Sequence, residues 1–451
     1  MPPEAASGNP SVRKISLLTF LRWRHNPLEL FSRLATSPNT IDYVRIGKKT
    51  VVLVKHPDLV QQLLVASTGR VVKGRTRERA RFFRFLGAGL LNAEGDEQRR
   101  QRRLMLPAFH RARLAGYADA MVACSTAATR EWRHGEVTDV GETMMQLTLT
   151  IVARTLFSSD VKDTAGKFAA AFSELTSNLN RFLFPGAAWL LRLPLPFARR
   201  IDASQHALDE LVYTLIRDRR ATGGDTGDLL SMLLLAKDEE RPEEGLSDLE
   251  VRDQTMTLFF AGHETTANAL TWTCWLLAKH PEIQDRLSAE LVDVLNGREP
   301  GFDDMPQLAF TEQIVREALR LYPPVWTLAR RTVAEVNLNG FVVPPDSLVL
   351  ASQWIFHRNP QWFPDPLEFK PERWTNKFRS TLPRFAYFPF GGGSRSCVGE
   401  NFAWMEFILV VASLAQRWRF SMASNSDRVT PLARITLHPD RPVLLKLERK
   451  T

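Results

Sequence analysis

The chain has 451 residues, 44% hydrophobic and 24% charged, a balance that excludes disordered and fibrous proteins and provides for a sizeable core. Lys and Arg number 59 against 50 Asp and Glu, a formal net charge of +9 that suits an acidic partner, nucleic acid or an anionic membrane surface without choosing among them. Its three cysteines, Cys124, Cys274 and Cys397, are too few and too scattered for a disulfide framework or a Cys-rich zinc module, and fit a reducing compartment.

The first apolar patch, residues 15–21, is broken by Thr19 and followed by Arg22 and Arg24. It is too short for a spanning helix and lacks a small-residue cleavage site. Residues 43–58 read as a hairpin, two β-branched runs around Gly47, Lys48 and Lys49. From about 58 to 296 helical periods dominate, punctuated at Gly87 and Gly89, at Pro185-Gly186 and at Gly223-Gly224. In this half the basic run GDEQRRQRRLMLPAFH reads as a solvated helix or a phosphate-binding patch. The apolar stretch 255–278 carries His263 and Glu264 at its middle, where a charge is expensive in lipid, so a buried helix is expected. A carboxylate buried there needs water, a hydroxyl or a cation, or else its pKa rises. The segment FTEQIVREALRLYPP is a further amphipathic helix stopped by Pro323 and Pro324. Its Glu317 and Arg320 share a face at i and i+3, a pairing worth little when exposed. Strand-like pieces, VNLNGFVVP and SLVLASQW, precede a Pro-rich coil over 359–389 and a last helix from about 398 to 418. The expected fold class is mainly α with a minor β portion.

At the start of that last helix, FPFGGGSRSCVGENFAWMEFILVV runs a glycine-rich turn into an apolar-periodic segment. There Cys397 meets unsatisfied backbone N–H groups and the positive end of a helix dipole, which favour a thiolate, a ligand or a nucleophile. Gly391, Gly392, Gly393 and Gly399 remove bulk, so that a large flat ligand or backbone N–H groups can approach the sulfur. Phe390, Gly393, Arg395, Cys397 and Gly399 resemble, position for position, the haem-binding signature of the cytochromes P450. The resemblance implies the cytochrome P450 fold, with haem buried between the oxygen-activation helix and the cysteine-loop helix. It implies Cys397 as the axial thiolate, Arg395 paired with a haem propionate, and Phe390 packed beside the ligand loop. Thiolate ligation pushes electron density onto iron and favours O–O cleavage.

Other segments resemble the same family in the expected order. AGHETTANAL resembles its oxygen-activation segment, which implies that Ala261 and Gly262 make room beside the iron while Glu264 and Thr265 relay protons. Thr266 is expected to pack or to bond back to helix carbonyls. Glu317 and Arg320, with Arg373 of the segment PERW, resemble a buried network that holds the cysteine loop. Arg102 and Arg331 are implied propionate partners, with Arg330 the alternative register; Gln98 stands where the family carries Trp, and its contact is left open. HRNPQWFPDPLEFKPERW resembles the family's coil, with Asn359 where Asp is common. Phe85, Phe260, Ala261, Val325, Trp326 and Leu328 are the implied substrate lining, which suits a small apolar substrate of terpenoid, fatty acyl or polyketide type. Residues 181–200, apolar with basic ends, correspond by the same resemblance to a mobile lid that gates entry or brushes a membrane, with a packed helix-loop-helix as the alternative of equal weight.

Matches run from about Asn26 to the last helix, implying a single haem domain over 26–451 after a flexible extension over 1–25. The implied cofactor is haem b, with O2 as co-substrate and NAD(P)H acting through a ferredoxin or flavodoxin that the positive charge would attract. A cytoplasmic monomer is expected, with neither nucleic acid nor a transmembrane anchor. A monooxygenase is the leading reading. The alternative is a peroxide-dependent or isomerising haem-thiolate enzyme, against which Glu264 and Thr265 argue. A haem-based sensor comes third, since no regulatory or DNA-reading module is visible.

Overall fold

The computed structural model describes residues 12–14, 26–46, 49–73, 84–157, 168, 171–172, 174–175, 196–238, 245–424 and 426–450. It divides into two compact units of non-contiguous chain. The first comprises Met1–Gly74, Leu319–Phe369 and Trp374–Ser396, and the second Arg75–Ala318, Lys370–Arg373 and Cys397–Thr451. Of the expected N-terminal extension, Val12–Lys14 forms a strand. The lid segment, up to residue 195, lies almost wholly outside the described residues.

The first unit is a sheet with a helical flank, α1 (Pro27–Ala35), capped by Asn26. Its strands are β1 (Val12–Lys14), β2 (Ile41–Ile46), β3 (Lys49–Val54), β4 (Val71–Val72), β5 (Leu328–Thr332), β6 (Val336–Leu338), β7 (Phe341–Val343) and β8 (Leu348–Ala351). Six of them pair in the order β1-β2-β3-β8-β5-β4, and β6 and β7 form a separate hairpin. The expected first hairpin is β2 and β3, antiparallel with Tyr43 opposite Val52. β3 then pairs in parallel with β8, Val54 opposite Ala351, and β8 antiparallel with β5, Arg330 opposite Val349. Ile41, Val52, Val54, Val349, Ala351, Phe356 and Phe388 pack into one core. An ion pair is sunk beside it. Lys55 lies 2.7 Å from Asp42 and also donates to the carbonyls of Leu34 and Ser37 at 3.1 and 2.9 Å, which compensates its lost hydration.

The second unit is helical. Its main elements are α2 (Gly95–Met105), α3 (Arg111–Ala128), α4 (Val140–Phe157), α5 (Asp248–Lys279), α6 (Ala309–Leu321, ending in the first unit) and α7 (Glu400–Arg417). α5 opens with a capping box: the Glu250 N–H donates to the Ser247 hydroxyl, and the Ser247 N–H to the Glu250 carboxylate at 2.8 Å. It is buried almost all round, as its apolar run predicts, and Trp272 and Trp275 anchor it by donating to the Leu437 and Ser426 carbonyls at 3.2 and 2.8 Å. No described helix is long and apolar enough to cross a membrane. The strands of this unit, Val137–Asp139, Trp418–Met422 and Leu444–Arg449 in one sheet and the hairpin Pro431–Ala433 with Leu437–Pro439, are too short and too charged to stand out in the sequence.

One buried acid has no counterpart in the sequence reading. Glu406 on α7 is fully buried, and among the described residues neither carboxyl oxygen has a hydrogen-bond partner. Burial pushes its pKa well above the carboxylate range, so it is a neutral acid in the folded protein. The folded chain therefore keeps a proton that the unfolded chain sheds above its ordinary carboxylate pKa, and stability falls as pH rises through that window. Glu406→Met is expected to stabilise the protein by about 2 kcal/mol at pH 7, with a gain that shrinks towards pH 4. Thermal midpoints of both proteins at the two pH values check this.

Candidate functional site

Cys397 immediately precedes α7, whose N-cap is Gly399. Its side chain is exposed, yet the surrounding protein pushes the free thiol pKa up to about 11 through burial, against the Gly399 N–H and the charge of Arg102, which favour the anion. The sequence leads one to expect an easy thiolate. Desolvation outweighs the N–H contribution in the free thiol. The glycines differ among themselves. A Cβ on Gly393, whose φ is +71°, would lie 2.0 Å from the Leu64 carbonyl oxygen, and one on Gly392 would lie 2.4 Å from the Phe385 ring. Their bareness is imposed by the chain's own packing. Among the described residues a Cβ on Gly399 meets only Phe109, at an ordinary 3.6 Å, and none of them forbids a side chain there.

In the first unit, Gly393–Arg395 forms a 3₁₀ turn and Phe390 and Arg395 are half-buried. Arg320, fully buried, donates to the carbonyls of His357 at 2.7 Å, Pro366 at 2.6 Å and Glu368 at 3.0 Å. The His357 ring then accepts the Phe388 N–H at 3.1 Å, and the Phe388 carbonyl accepts the Gly391 N–H at 3.0 Å. His357 thus joins the Arg320 clamp to the glycine loop. It is a structural residue the sequence reading missed; burial and the neighbouring Arg320 and Arg358 push its pKa well down, so it is neutral and able to accept. In the second unit Glu317, also fully buried, accepts from the Arg373 guanidinium at 2.9 Å and from the Lys370 N–H at 3.0 Å. On β5 the pleat alternates. Arg330 is buried, whereas the nominated Arg331 lies 3.3 Å from Asp346 and is 39% exposed. Among the nominated lining residues of this unit, Val325 is half-buried, Trp326 packs edge-on against Phe31 at 5.3 Å, and Leu328 joins the unit's core.

α5 carries the acid and the alcohol. Glu264 is buried and its Oε1 accepts from the Thr436 hydroxyl at 2.6 Å, with His438 Nε2 at 2.7 Å. Burial pushes its pKa up, but His438 and Thr436 prevail and hold it below the usual carboxylate value. The compensation the sequence demanded comes from a hairpin it did not reveal. The Thr265 hydroxyl donates to the Ala261 carbonyl at 2.6 Å, the back-bond expected of Thr266, and keeps its lone pairs free to accept. A Cβ on Gly262 would meet Val152 at 3.3 Å, so that glycine serves the close approach of α4.

Phe85 and Phe260 are brought together edge-on at 5.6 Å, and Phe172, which the sequence reading did not nominate, lies 6.3 Å from Phe260. Phe85 is held by the turn after it. The Ala88 N–H donates to Asp253 at 2.7 Å and the Leu90 N–H to Gln254 at 2.9 Å, both on α5. A Cβ on Gly87, whose φ is +56°, would fall 2.1 Å from the Asp253 carboxylate. Gly87 is therefore a close-approach residue, not punctuation. Gly87→Ala is expected to destabilise the protein by about 3 kcal/mol and to loosen the Phe85 segment, read as a lower thermal midpoint and faster proteolysis near residue 88.

The family model described as Cytochrome P450 matches residues 8–446. The chain is 38% identical to cyclooctatin synthase of Streptomyces melanosporofaciens over 92% of its own length and 91% of the relative's. It is 39% identical to cyclooctat-9-en-7-ol 5-monooxygenase of the same organism, over 89% and 86%, and 36% identical to pentalenene oxygenase of Streptomyces avermitilis, over 94% and 93%. Among solved structures, the haem domain of cytochrome P450DA superposes with a TM-score of 0.87 at 28% identity, covering 98% of both chains.

Proposed function

From the premise that this chain belongs to the cytochrome P450 family and is a haem-dependent monooxygenase, we propose that it inserts one oxygen atom of O2 into a polycyclic terpenoid. What supports the substrate class is the apolar aromatic group of Phe85, Phe260 and Phe172 on and beside α5, together with relatives whose names place them in terpenoid modification. Such a surface offers burial and shape but few hydrogen bonds, which suits a hydrocarbon skeleton.

The residues present fit a haem. Cys397 presents an exposed sulfur that the Gly399 N–H and the charge of Arg102 favour as an anion, and Gly399 is left bare where the packing of the described residues does not require it. The residues that would hold the group are Cys397 as its thiolate ligand, Gly399 and Gly393 as bare positions, Phe390, Arg102, Arg395 and Arg330 for the propionates in place of Arg331, and Ala261 of α5. When bound, the haem supplies reductive activation of O2, with the thiolate favouring O–O cleavage. The chain does the rest. Phe85 and Phe260 exclude water and orient the substrate, Thr265 accepts a hydrogen bond, and Glu264 holds and passes the protons that O2 reduction consumes. Electrons are proposed to come from NAD(P)H through a ferredoxin or flavodoxin drawn by the net charge of +9, and the bound form is proposed to be haem b.

Purified ferric protein titrated with cyclic terpenes, terpene alcohols and fatty acids tests the class. The expected result is a spin-state shift with terpenoids and, in turnover under labelled O2, a product carrying one labelled atom. Saturable shifts with fatty acids alone would replace the terpenoid reading. Turnover with peroxide but none with O2 and reductant would favour the peroxide-dependent alternative.

A further inference from the structure

The contact that holds Glu264 comes from one element, the hairpin of Pro431–Ala433 and Leu437–Pro439. Three polar atoms close a triangle there: Thr436 Oγ1 lies 2.6 Å from Glu264 Oε1, His438 Nε2 lies 2.7 Å from the same oxygen, and Nε2 and Oγ1 are 2.9 Å apart. Asn268 Nδ2 donates to Thr436 Oγ1 at 3.2 Å. The protons can be assigned from this pattern. Thr436 accepts from Asn268 and donates its single hydrogen to Glu264, so the short contact between Nε2 and Oε1 is attractive when Nε2 carries a hydrogen towards a carboxylate. Among the described residues the other titratable group acting on Glu264 is His263 on α5, which burial pushes down to about 4, so it is neutral at pH 7 and supplies no counter-charge. Glu264 is 8% exposed and His438 15%.

We propose that His438 is a positioning residue for Glu264: its Nε2–H, with the Thr436 hydroxyl, holds the acid as a carboxylate in one orientation, ready to take up a proton. The inference rests on the reading of Glu264 as the proton-handling acid of a monooxygenase. Without these two donors the buried side chain would be a neutral acid at pH 7, already carrying the proton it should collect, and free to turn. Since both donors sit on the hairpin, any movement of the hairpin alters the state of the acid.

Infrared difference spectra of the haem-loaded protein read the carboxyl directly, with Glu264→Gln assigning the band. The parent is expected to show a carboxylate at pH 7, and His438→Ala a protonated acid. kcat is expected to fall about tenfold to a hundredfold while the substrate-induced spectral shift keeps its midpoint. His438→Gln, which restores an N–H donor, is expected to return the carboxylate and most of kcat; a merely structural role would not move the band. Should alanine fail to fold, His438→Asn, whose amide is too short to reach Oε1, carries the same test. A carboxylate that persists in a folded His438→Ala or His438→Asn protein, or an unchanged kcat, overturns the proposal. The reduced carbonyl spectrum reports the haem-thiolate reading separately, because the Glu264 band tests the His438 contact whatever that spectrum shows.

Discussion

A Cys397→Ser protein is expected to fold and to lose monooxygenase turnover below about a thousandth of the parent, which corresponds to at least ~4 kcal/mol of barrier. Its reduced carbonyl complex is expected to absorb like a haem without a thiolate ligand. No other cysteine can take over. Cys124 and Cys274 are buried, and burial pushes both thiols up, Cys274 to about 12. Cys397 alone of the three combines an accessible side chain with a backbone N–H aimed at the sulfur and a nearby arginine charge. The serine hydroxyl keeps the size but gives up the soft anionic donor that pushes electron density onto iron. A thiolate-type spectrum surviving in Cys397→Ser would remove this residue from its assigned place.

Arg320→Ala is expected to be the most damaging substitution for the fold itself. The guanidinium satisfies three backbone carbonyls at 2.6 to 3.0 Å in a fully buried place. Each carbonyl left orphaned costs upwards of about 1 kcal/mol, so a loss of about 3 to 5 kcal/mol is expected. The damage should reach the glycine loop, because the clamped His357 is the acceptor for the Phe388 N–H. Arg320→Lys is expected to rescue little, since an ammonium is a point donor and cannot reproduce the planar fork. The measurements are soluble yield, haem bound per chain and thermal midpoint; an Arg320→Ala protein that matches the parent in all of them would refute the clamp. Glu317 is a separate case, because removing it leaves the buried Arg373 without the carboxylate 2.9 Å away.

The residues that were legible in the sequence are those whose chemistry is local. The cysteine turn is one contiguous motif, α5 is announced by its long apolar run around His263 and Glu264, and the first hairpin by two β-branched runs. What stayed hidden depends on partners far away in the chain. Glu264 is separated from Thr436 by 172 residues, and no spacing rule joins them. His357 was passed over because a histidine inside an apolar coil looks like ordinary core. The choice between Arg330 and Arg331 turns on which way a strand pleats, which two adjacent arginines cannot reveal. Gly87 and Gly89 read as breaks because the positive φ of Gly87 and the closeness of α5 to both are properties of packing, not of composition. Glu406 has no sequence signal at all, since one acid on an apolar helix is equally compatible with a salt bridge.

The glycines around Cys397 answer to two different masters. Gly393 is locked by the Leu64 backbone and a left-handed φ, whereas among the described residues a Cβ on Gly399 would find only van der Waals contact with Phe109. In a lineage that abandoned the pigment, Gly393 would still be guarded by folding, while Gly399 would be released to drift. An archive of such descendants would therefore record, position by position, which parts of the signature belong to the polypeptide and which to its passenger.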